Sequence, residues 1–156
     1  MHQTRKGKQW YFGMKAHVGV DSKRKLIHSV MATAAHVADS RVLPHLLHGR
    51  EECVWGDQAY RGQSEVIHRR APRARDCTHK QYRYKDRIDE LERARNRTKS
   101  RVRAKVEHVF GVMKLKFGFT KVRYRGLRKN ANRLFTTCAL VNLFLVRKRL
   151  LGATAG

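Results

Sequence analysis

Acidic residues are scarce in this chain. Its 156 residues include 12 Asp and Glu against 36 Lys and Arg, which gives a formal net charge of +24. A chain with so large an excess of one sign repels itself unless a polyanion is its usual neighbour. This charge excess therefore makes nucleic acid the expected partner.

Long apolar runs and cysteines are scarce as well. The longest apolar run, residues 134–146, is interrupted by two threonines and an asparagine and is shorter than the roughly 20 residues that span a bilayer. The first residues show no signal-peptide pattern. The cysteines, too few and too scattered for a disulfide framework or a closed zinc site, are Cys53, Cys77 and Cys138. We therefore expect no membrane partner and a reducing cytoplasm.

The length and the hydrophobic pattern predict one domain covering residues 1–156, large enough to bury a core. Residues 10–20 and 26–35 alternate apolar with polar or small residues around a polar turn, which predicts a β-hairpin. Asp39 and Ser40 are placed to cap a helix that ends at Gly49. A short strand over 53–57 and a helix near 63–70 are expected to follow.

Two of the acids stand apart from the others. Asp57 ends the apolar strand "CVWGD", and Glu107 borders the apolar stripe of a helix. That stripe, with helical spacing, consists of Val102, Val106, Val109, Phe110 and Met113. The remaining acids lie in turns, in caps or on the charged helical surface predicted over 69–105, where Asp86, Asp89, Glu90 and Glu92 are expected partners of arginines.

Carboxylates held together at the edge of a core repel each other unless a divalent cation lies between them. Hard oxygen ligands favour magnesium or manganese. Two such ions about 4 Å apart are a common means of hydrolysing a phosphodiester. Simpler interpretations stay open, because Glu107 could be a surface partner of Arg103 and Asp57 could start a turn or cap the next helix.

Four segments resemble successive blocks of the bacterial insertion-sequence transposases that use a DDE catalytic triad on a ribonuclease-H-like fold. They are "QWYFGMKAHVGVD", "VWGDQAYRG", "RAKVEHVFGVMK" and "FGFTKVRYRGL". The most specific element is the spacing of Arg103, Glu107 and Lys114, which is similar to the signature around the catalytic glutamate of that family. Ser100 replaces the tyrosine usual in this signature, and Ala59 replaces a common glycine.

The resemblance implies a fold, a reaction and a set of residues. The fold would be α/β, a ribonuclease-H-like mixed β-sheet flanked by helices. Asp57 and Glu107 would be catalytic metal ligands in a two-metal site for Mg²⁺ or Mn²⁺, and Gly111 would leave room for a backbone to pass. The residues expected to contact DNA are Arg61, Arg103, Lys114, Lys121, Arg123 and Arg125.

The first aspartate of the family pattern lies upstream of the "MHQT" block, with which this sequence begins. Asp21 is the one acid in the first half that could replace it, but it falls in the predicted hairpin turn. The resemblance thus implies a transposase C-terminal portion, N-terminally incomplete and inactive alone, which acts on terminal inverted repeats and target DNA in the bacterial nucleoid. It would work as a homodimer or with an upstream segment. The alternative is a non-catalytic nucleic-acid-binding protein or transposition inhibitor.

Overall fold

The computed structural model describes residues 1–84 and 87–153 and shows a mixed α/β fold consistent with the ribonuclease-H-like class. The chain forms two compact units. The first unit combines Met1–Val37 with the residues from Val106 onward, and the second is Ala38–Lys105. The helices are α1 (Asp39–Leu46), α2 (Ser64–Arg70), α3 (Glu90–Phe117) and α4 (Leu127–Ala153).

The first unit contains a three-stranded antiparallel sheet in the order β1 (His2–Lys6), β2 (Gln9–Val20) and β3 (Ile27–Ala34). The predicted hairpin is therefore confirmed. Strand β1 escaped prediction because its sequence, HQTRK, is polar and carries no hydrophobic alternation. It is paired with the first half of β2, and backbone hydrogen bonding to that strand holds it in the sheet although its sequence shows no strand pattern.

Asp21 holds the turn between β2 and β3. Its Oδ1 accepts hydrogen bonds from the backbone N–H groups of Lys23 at 2.7 Å and Arg24 at 2.6 Å. The bond from Arg24 is the main cause that lowers the pKa of the Asp21 carboxyl. This is the Asx-type turn for which aspartate is favoured. The Asp21 carboxylate is thus engaged in local structure.

The core of the first unit lies between this sheet and two helices. Val109 and Met113 of α3 and Leu134 and Val141 of α4 are almost completely buried together with Ile27. The apolar stripe predicted on α3 is therefore confirmed at its C-terminal end. Asn142, which interrupts the long apolar run, exchanges two hydrogen bonds of 2.8 and 2.9 Å with the backbone of Ile27 and so fastens α4 to β3.

The second unit is built around a short parallel pair, β4 (Cys53–Val54) with β5 (Arg75–Asp76). An antiparallel pair of two-residue strands, β6 (Arg83–Tyr84) with β7 (Arg87–Ile88), precedes α3. The buried residues of this unit's core are Leu43, Val54, Ile67, Ala71 and Ala74. The fold class thus carries both antiparallel and parallel pairing, in separate sheets within the described residues.

Three local predictions can be compared with these elements. The helix predicted near 63–70 is confirmed as α2. The predicted cap of α1 is wrong, because Ala38 is the N-cap residue and Asp39 already lies in the first turn. The strand predicted over 53–57 ends at Val54, since Gly56 and Asp57 leave the ladder to begin the next turn.

The charged segment is more than a solvated surface. Glu92 is buried, forms ion pairs with Arg95 at 3.5 Å and Lys99 at 3.3 Å, and takes part in fixing α3. Lys99 Nζ also donates to the carbonyl of Thr78 at 3.0 Å. Asp89 caps the helix by accepting from the Glu92 N–H, whereas Glu90 pairs with Arg93 on the surface as predicted. Asp86 lies outside the described residues.

Candidate active site and nucleic-acid interface

Asp57 is placed at the N-terminus of a single 3-10 turn, Gln58–Tyr60, directly after β4. Its Oδ1 accepts a hydrogen bond of 3.0 Å from the Ala59 N–H, which fixes the carboxylate and leaves the second oxygen for other partners. The preceding Gly56 is required by packing, because a Cβ there would lie 2.9 Å from the Tyr60 ring. Burial is the main cause that raises the pKa of Tyr60 to about 12, and the negative charges of Asp39 and Asp57 add to the effect. The phenol therefore stays protonated.

A cleft of about 510 Å³ opens beside Asp57 within the second unit. One wall comes from α3, and the other comes from the 3-10 turn and the segment after β5. The lining side chains include one carboxylate, three guanidinium groups and a phenol. They are, in that order, Asp57, then Arg93, Arg97 and Arg103, and Tyr82, with the amide of Asn96 beside them. The cleft is thus cationic with a single acid, a combination that suits a phosphate-bearing ligand near a carboxylate.

His79 is a buried member of the same cleft. Its backbone N–H donates to the carbonyl of Gly56 at 3.0 Å, and the Nε2 atom of its ring lies 3.5 Å from Ser100 Oγ. Burial, and then the positive charges of Arg103 and Lys99, lowers the pKa of His79. The imidazole is therefore neutral near pH 7. Its contact with the residue before Asp57 makes it a structural link between the Asp57 turn and α3.

Three residues of the glutamate signature lie along α3. Arg103 is half-buried and lines the cleft of the second unit. Glu107 and Lys114 belong to the first unit, where both side chains are exposed. Gly111 lies between them, and apart from its chain neighbours and the backbone of its own helix no described atom lies within 4 Å of where a Cβ would stand. Packing within the first unit therefore gives no reason for a glycine there.

The loop between α3 and α4, residues 118–126, carries three exposed cations, Lys121, Arg123 and Arg125. Asn130, 2% exposed, organises this loop from the first turn of α4. Its Oδ1 accepts from the backbone N–H groups of Arg123 and Tyr124 at 3.2 Å, and its Nδ2 donates to the carbonyls of Tyr124 and Gly126 at 2.6 and 2.8 Å. The loop is thus preorganised.

A second side chain holds the opposite end of the loop. The Arg133 guanidinium donates to the carbonyls of Gly118 at 2.9 Å and Lys121 at 2.8 Å, and it lies 4.9 Å from the centre of the Phe119 ring. The structure therefore assigns Arg133 to loop geometry and leaves the outer cations exposed. Arg61, also predicted to contact DNA, is exposed after the 3-10 turn and donates to the side chain of Gln81.

Sequence reasoning missed the arginines on the α3 wall of the cleft. Arg93 and Arg97 were treated as part of a solvated charged helix, but both line the cleft that contains Asp57. A signal was present, because Arg93, Arg97, Ser100 and Arg103 follow one another at spacings of a single helical face. Asn96, on the same helix, had no comparable signal, since its contact with the backbone of Lys80 depends on the irregular segment after β5.

The described residues were compared with the requirements of a metal site, a membrane span and a disulfide. Among residues 1–84 and 87–153, no three His, Cys, Asp or Glu side chains come close enough together to hold a metal ion. Over the same residues, no helix is both long enough and apolar enough to cross a bilayer. The cysteines of this part of the chain are free thiols, and burial raises the pKa of Cys138 to about 11.

The family model described as "Transposase DDE domain" matches residues 1–143. The chain belongs to this family of transposase DDE domains. It is thus a protein of DNA transposition, with DNA as its expected partner, and the predicted family is confirmed. No solved structure matches the chain significantly.

Proposed function

We propose that this chain supplies two of the three catalytic carboxylates and most of the DNA-binding surface for cleavage and strand transfer at the ends of an insertion sequence. The observation that carries this proposal is the fixed carboxylate of Asp57 at the edge of an arginine-lined cleft. Glu107, at the position that matches the glutamate of the family pattern, is the second carboxylate. Both roles rest on the resemblance of the motifs around them.

The residues of the chain divide into two groups by what they would do. Asp57 and Glu107 would hold Mg²⁺ or Mn²⁺, and their carboxylate oxygens are the donor type that these hard ions prefer. When bound, such ions activate a water or a 3′-hydroxyl and stabilise the leaving oxygen of a phosphodiester. The residues that would position DNA phosphates are Arg61, Arg103, Lys114, Lys121, Arg123 and Arg125.

A third carboxylate is required to complete the family pattern. Asp21 is a poor source for it, because its Oδ1 is bound to two N–H groups of its own turn. We propose that an aspartate on another polypeptide segment, upstream in the same element or in a partner copy, completes the site. The DNA substrates would be the terminal inverted repeats of the element and then the target DNA.

Magnesium is expected to raise the melting temperature of the chain, and Asp57→Asn or Glu107→Gln should abolish that rise. Ligand binding to the folded state at about ten times its dissociation constant contributes about 1.4 kcal/mol to stability. Without metal, both variants should be as stable as the parent or slightly more stable, because like charge is removed. Asparagine can still accept the Ala59 hydrogen bond through its amide oxygen. Thermal unfolding with and without MgCl₂ measures the effect.

The control variant is Glu65→Gln, which removes an exposed acid of α2 that pairs with Arg69 at 2.9 Å. NaCl of equal ionic strength must be included, since salt alone relieves repulsion in a chain of charge +24. A magnesium shift that survives both Asp57→Asn and Glu107→Gln, or that Glu65→Gln removes equally well, would contradict the assigned ligands.

Gly111→Ala should stabilise the chain and lower its affinity for DNA. Glycine inside a helix costs about 0.5–1 kcal/mol relative to alanine, and no described atom would clash with the added methyl group. If the resemblance is right that Gly111 leaves space for a DNA backbone, the same methyl group should lower DNA affinity. Denaturant unfolding and DNA titration of one preparation test both effects. Higher stability with unchanged affinity would remove the proposed role of Gly111.

A second candidate function is DNA binding without cleavage, by which the chain would compete with a complete transposase. The preorganised basic loop held by Asn130 and Arg133 favours this alternative, since it needs no metal. To test for competition, the purified chain is added to a complete enzyme of the same element and cleavage of the element ends is measured. Reduced cleavage would show competition. Stimulation instead of inhibition would favour the catalytic role.

A further inference from the structure

The cleft of the second unit has features that the residues of the family signature do not explain. Arg103 is the one signature cation on its α3 wall, yet Arg93 and Arg97 extend the same face toward the N-terminus of the helix. Arg97 lies about two helical turns and Arg93 about three turns from Arg103. Together these three guanidinium groups form a ladder, which we call the α3 arginine ladder: Arg93, Arg97 and Arg103.

The wall that carries the ladder is rigidly held. Asn96 exchanges two hydrogen bonds with the backbone of Lys80, its Nδ2 donating at 2.8 Å and its Oδ1 accepting at 3.3 Å. The buried pair of Glu92 and Lys99 fastens the neighbouring face of α3 to Thr78. These contacts fix the width of the cleft, so that the arginines project from a defined surface.

The ladder differs from the other cations of α3 in its availability. Arg95 is engaged with buried Glu92, whereas Arg93 is paired, among the described residues, with exposed Glu90, an ion pair of small energetic value. No hydrogen bond or ion pair of Arg97 is found within residues 1–84 and 87–153. Arg97 is therefore the cation of the cleft that is readiest to bind a phosphate.

The size and the aromatic content of the cleft indicate the ligand. A volume of about 510 Å³ lies within the range of sites for small organic molecules, about 300–1,000 Å³. It suits a nucleotide, whereas a double helix is too wide to enter. Tyr82, half-buried at the cleft, offers a ring on which one base can stack.

We propose that this cleft binds a single DNA strand, with backbone phosphates on Arg93 and Arg97 and one base on Tyr82. The inference rests on the proposed function, because Asp57 at the same cleft would face that strand. It adds residues outside the family signature and assigns them to an unpaired strand next to Asp57. Arg97 and Tyr82 are positioning residues, since neither is proposed to take part in the chemistry.

The test compares Arg97→Gln with Arg101→Gln in the full chain. Both substitutions remove one positive charge from exposed positions of α3, and Arg101 does not line the cleft. Arg97→Gln should lower affinity for a short single-stranded oligonucleotide by about tenfold, the value of one charge-assisted hydrogen bond. It should also reduce the slope of log affinity against log salt by about 0.7. Arg101→Gln should change affinity by less than about twofold. Fluorescence anisotropy at several salt concentrations measures both quantities.

A second measurement identifies the base contact. An oligonucleotide carrying 5-iodouracil, irradiated in complex with the chain, should cross-link to Tyr82, and Tyr82→Ala should lose this cross-link while Tyr82→Phe retains binding. Equal effects of Arg97→Gln and Arg101→Gln, with cross-links only outside the cleft, would overturn the inference about the cleft. In that case, salt-dependent DNA binding by the parent chain would still support the proposed function. Failure of the parent chain to bind any DNA would contradict both.

Discussion

Residues 1–156 alone are expected to show no detectable strand cleavage of insertion-sequence ends with magnesium or manganese. Activity should appear when a segment that carries the proposed third carboxylate is fused or co-expressed. The reason is that, under the proposed function, Asp57 and Glu107 are two of the three carboxylates needed to hold two ions in line, and removing one member of a group that acts together commonly abolishes nearly all of the rate. The expected change is several orders of magnitude, measured by nicking of a labelled DNA end.

The matched variants are Asp57→Asn and Asp21→Asn in the reconstituted enzyme. Asp57→Asn should abolish the recovered activity, whereas Asp21→Asn should leave it intact because the amide oxygen can still accept the turn hydrogen bonds made by Asp21. Specific nicking by residues 1–156 alone that is lost in Asp21→Asn would show that the turn aspartate is the third ligand after all.

The second large effect is expected from Asn130→Ala. The change removes an almost completely buried amide that makes four hydrogen bonds to the backbone of the α3–α4 loop. At about 1 kcal/mol for each net hydrogen bond, partly offset by water reaching the exposed loop, we expect a loss of about 2–3 kcal/mol. Denaturant unfolding measures it. Affinity for duplex DNA should fall as well, because Arg123 would no longer be held in place before binding.

Asn132→Ala is the control for this prediction. Asn132 is exposed on the same helix, and alanine there should be neutral or slightly stabilising through helix propensity. If Asn130→Ala loses stability but binds DNA with unchanged affinity and salt dependence, the amide is needed for folding and the loop cations do not contact DNA. If it changes neither property, the hydrogen bonds described for Asn130 contribute little.

The parts of the fold with a clear period were predictable from the sequence. The β2–β3 hairpin, α2 and the apolar stripe through Val109 and Met113 all follow from alternation or helical spacing. The cap of α1 was wrong because Asp39 and Ala38 can both precede a helix, and the choice depends on tertiary contacts. Strand β1 was missed because its polar side chains give no periodic signal.

The site was predictable only where the family pattern marks it. Asp57 and Glu107 were found by their place after a strand and beside an apolar stripe, and their shared metal site stays a prediction. The cleft beside Asp57 could not be predicted, because one of its walls is the segment after β5, which has no regular pattern. Buried Glu92 shows the same limit, since a charge in a basic helix looks solvated until its partner Lys99 is placed.

The fastening of α4 to β3 has a consequence for the order in which the protein forms. The bonded residues Ile27 and Asn142 are 115 positions apart, whereas the second unit, Ala38–Lys105, is continuous in sequence. During synthesis the second unit can therefore fold as it leaves the ribosome, but the β1–β3 sheet must wait for the last helix. Until then the apolar side chains of the hairpin remain uncovered. A nascent chain arrested before α4 is expected to protect Ile67 from proteolysis while leaving the hairpin open to it.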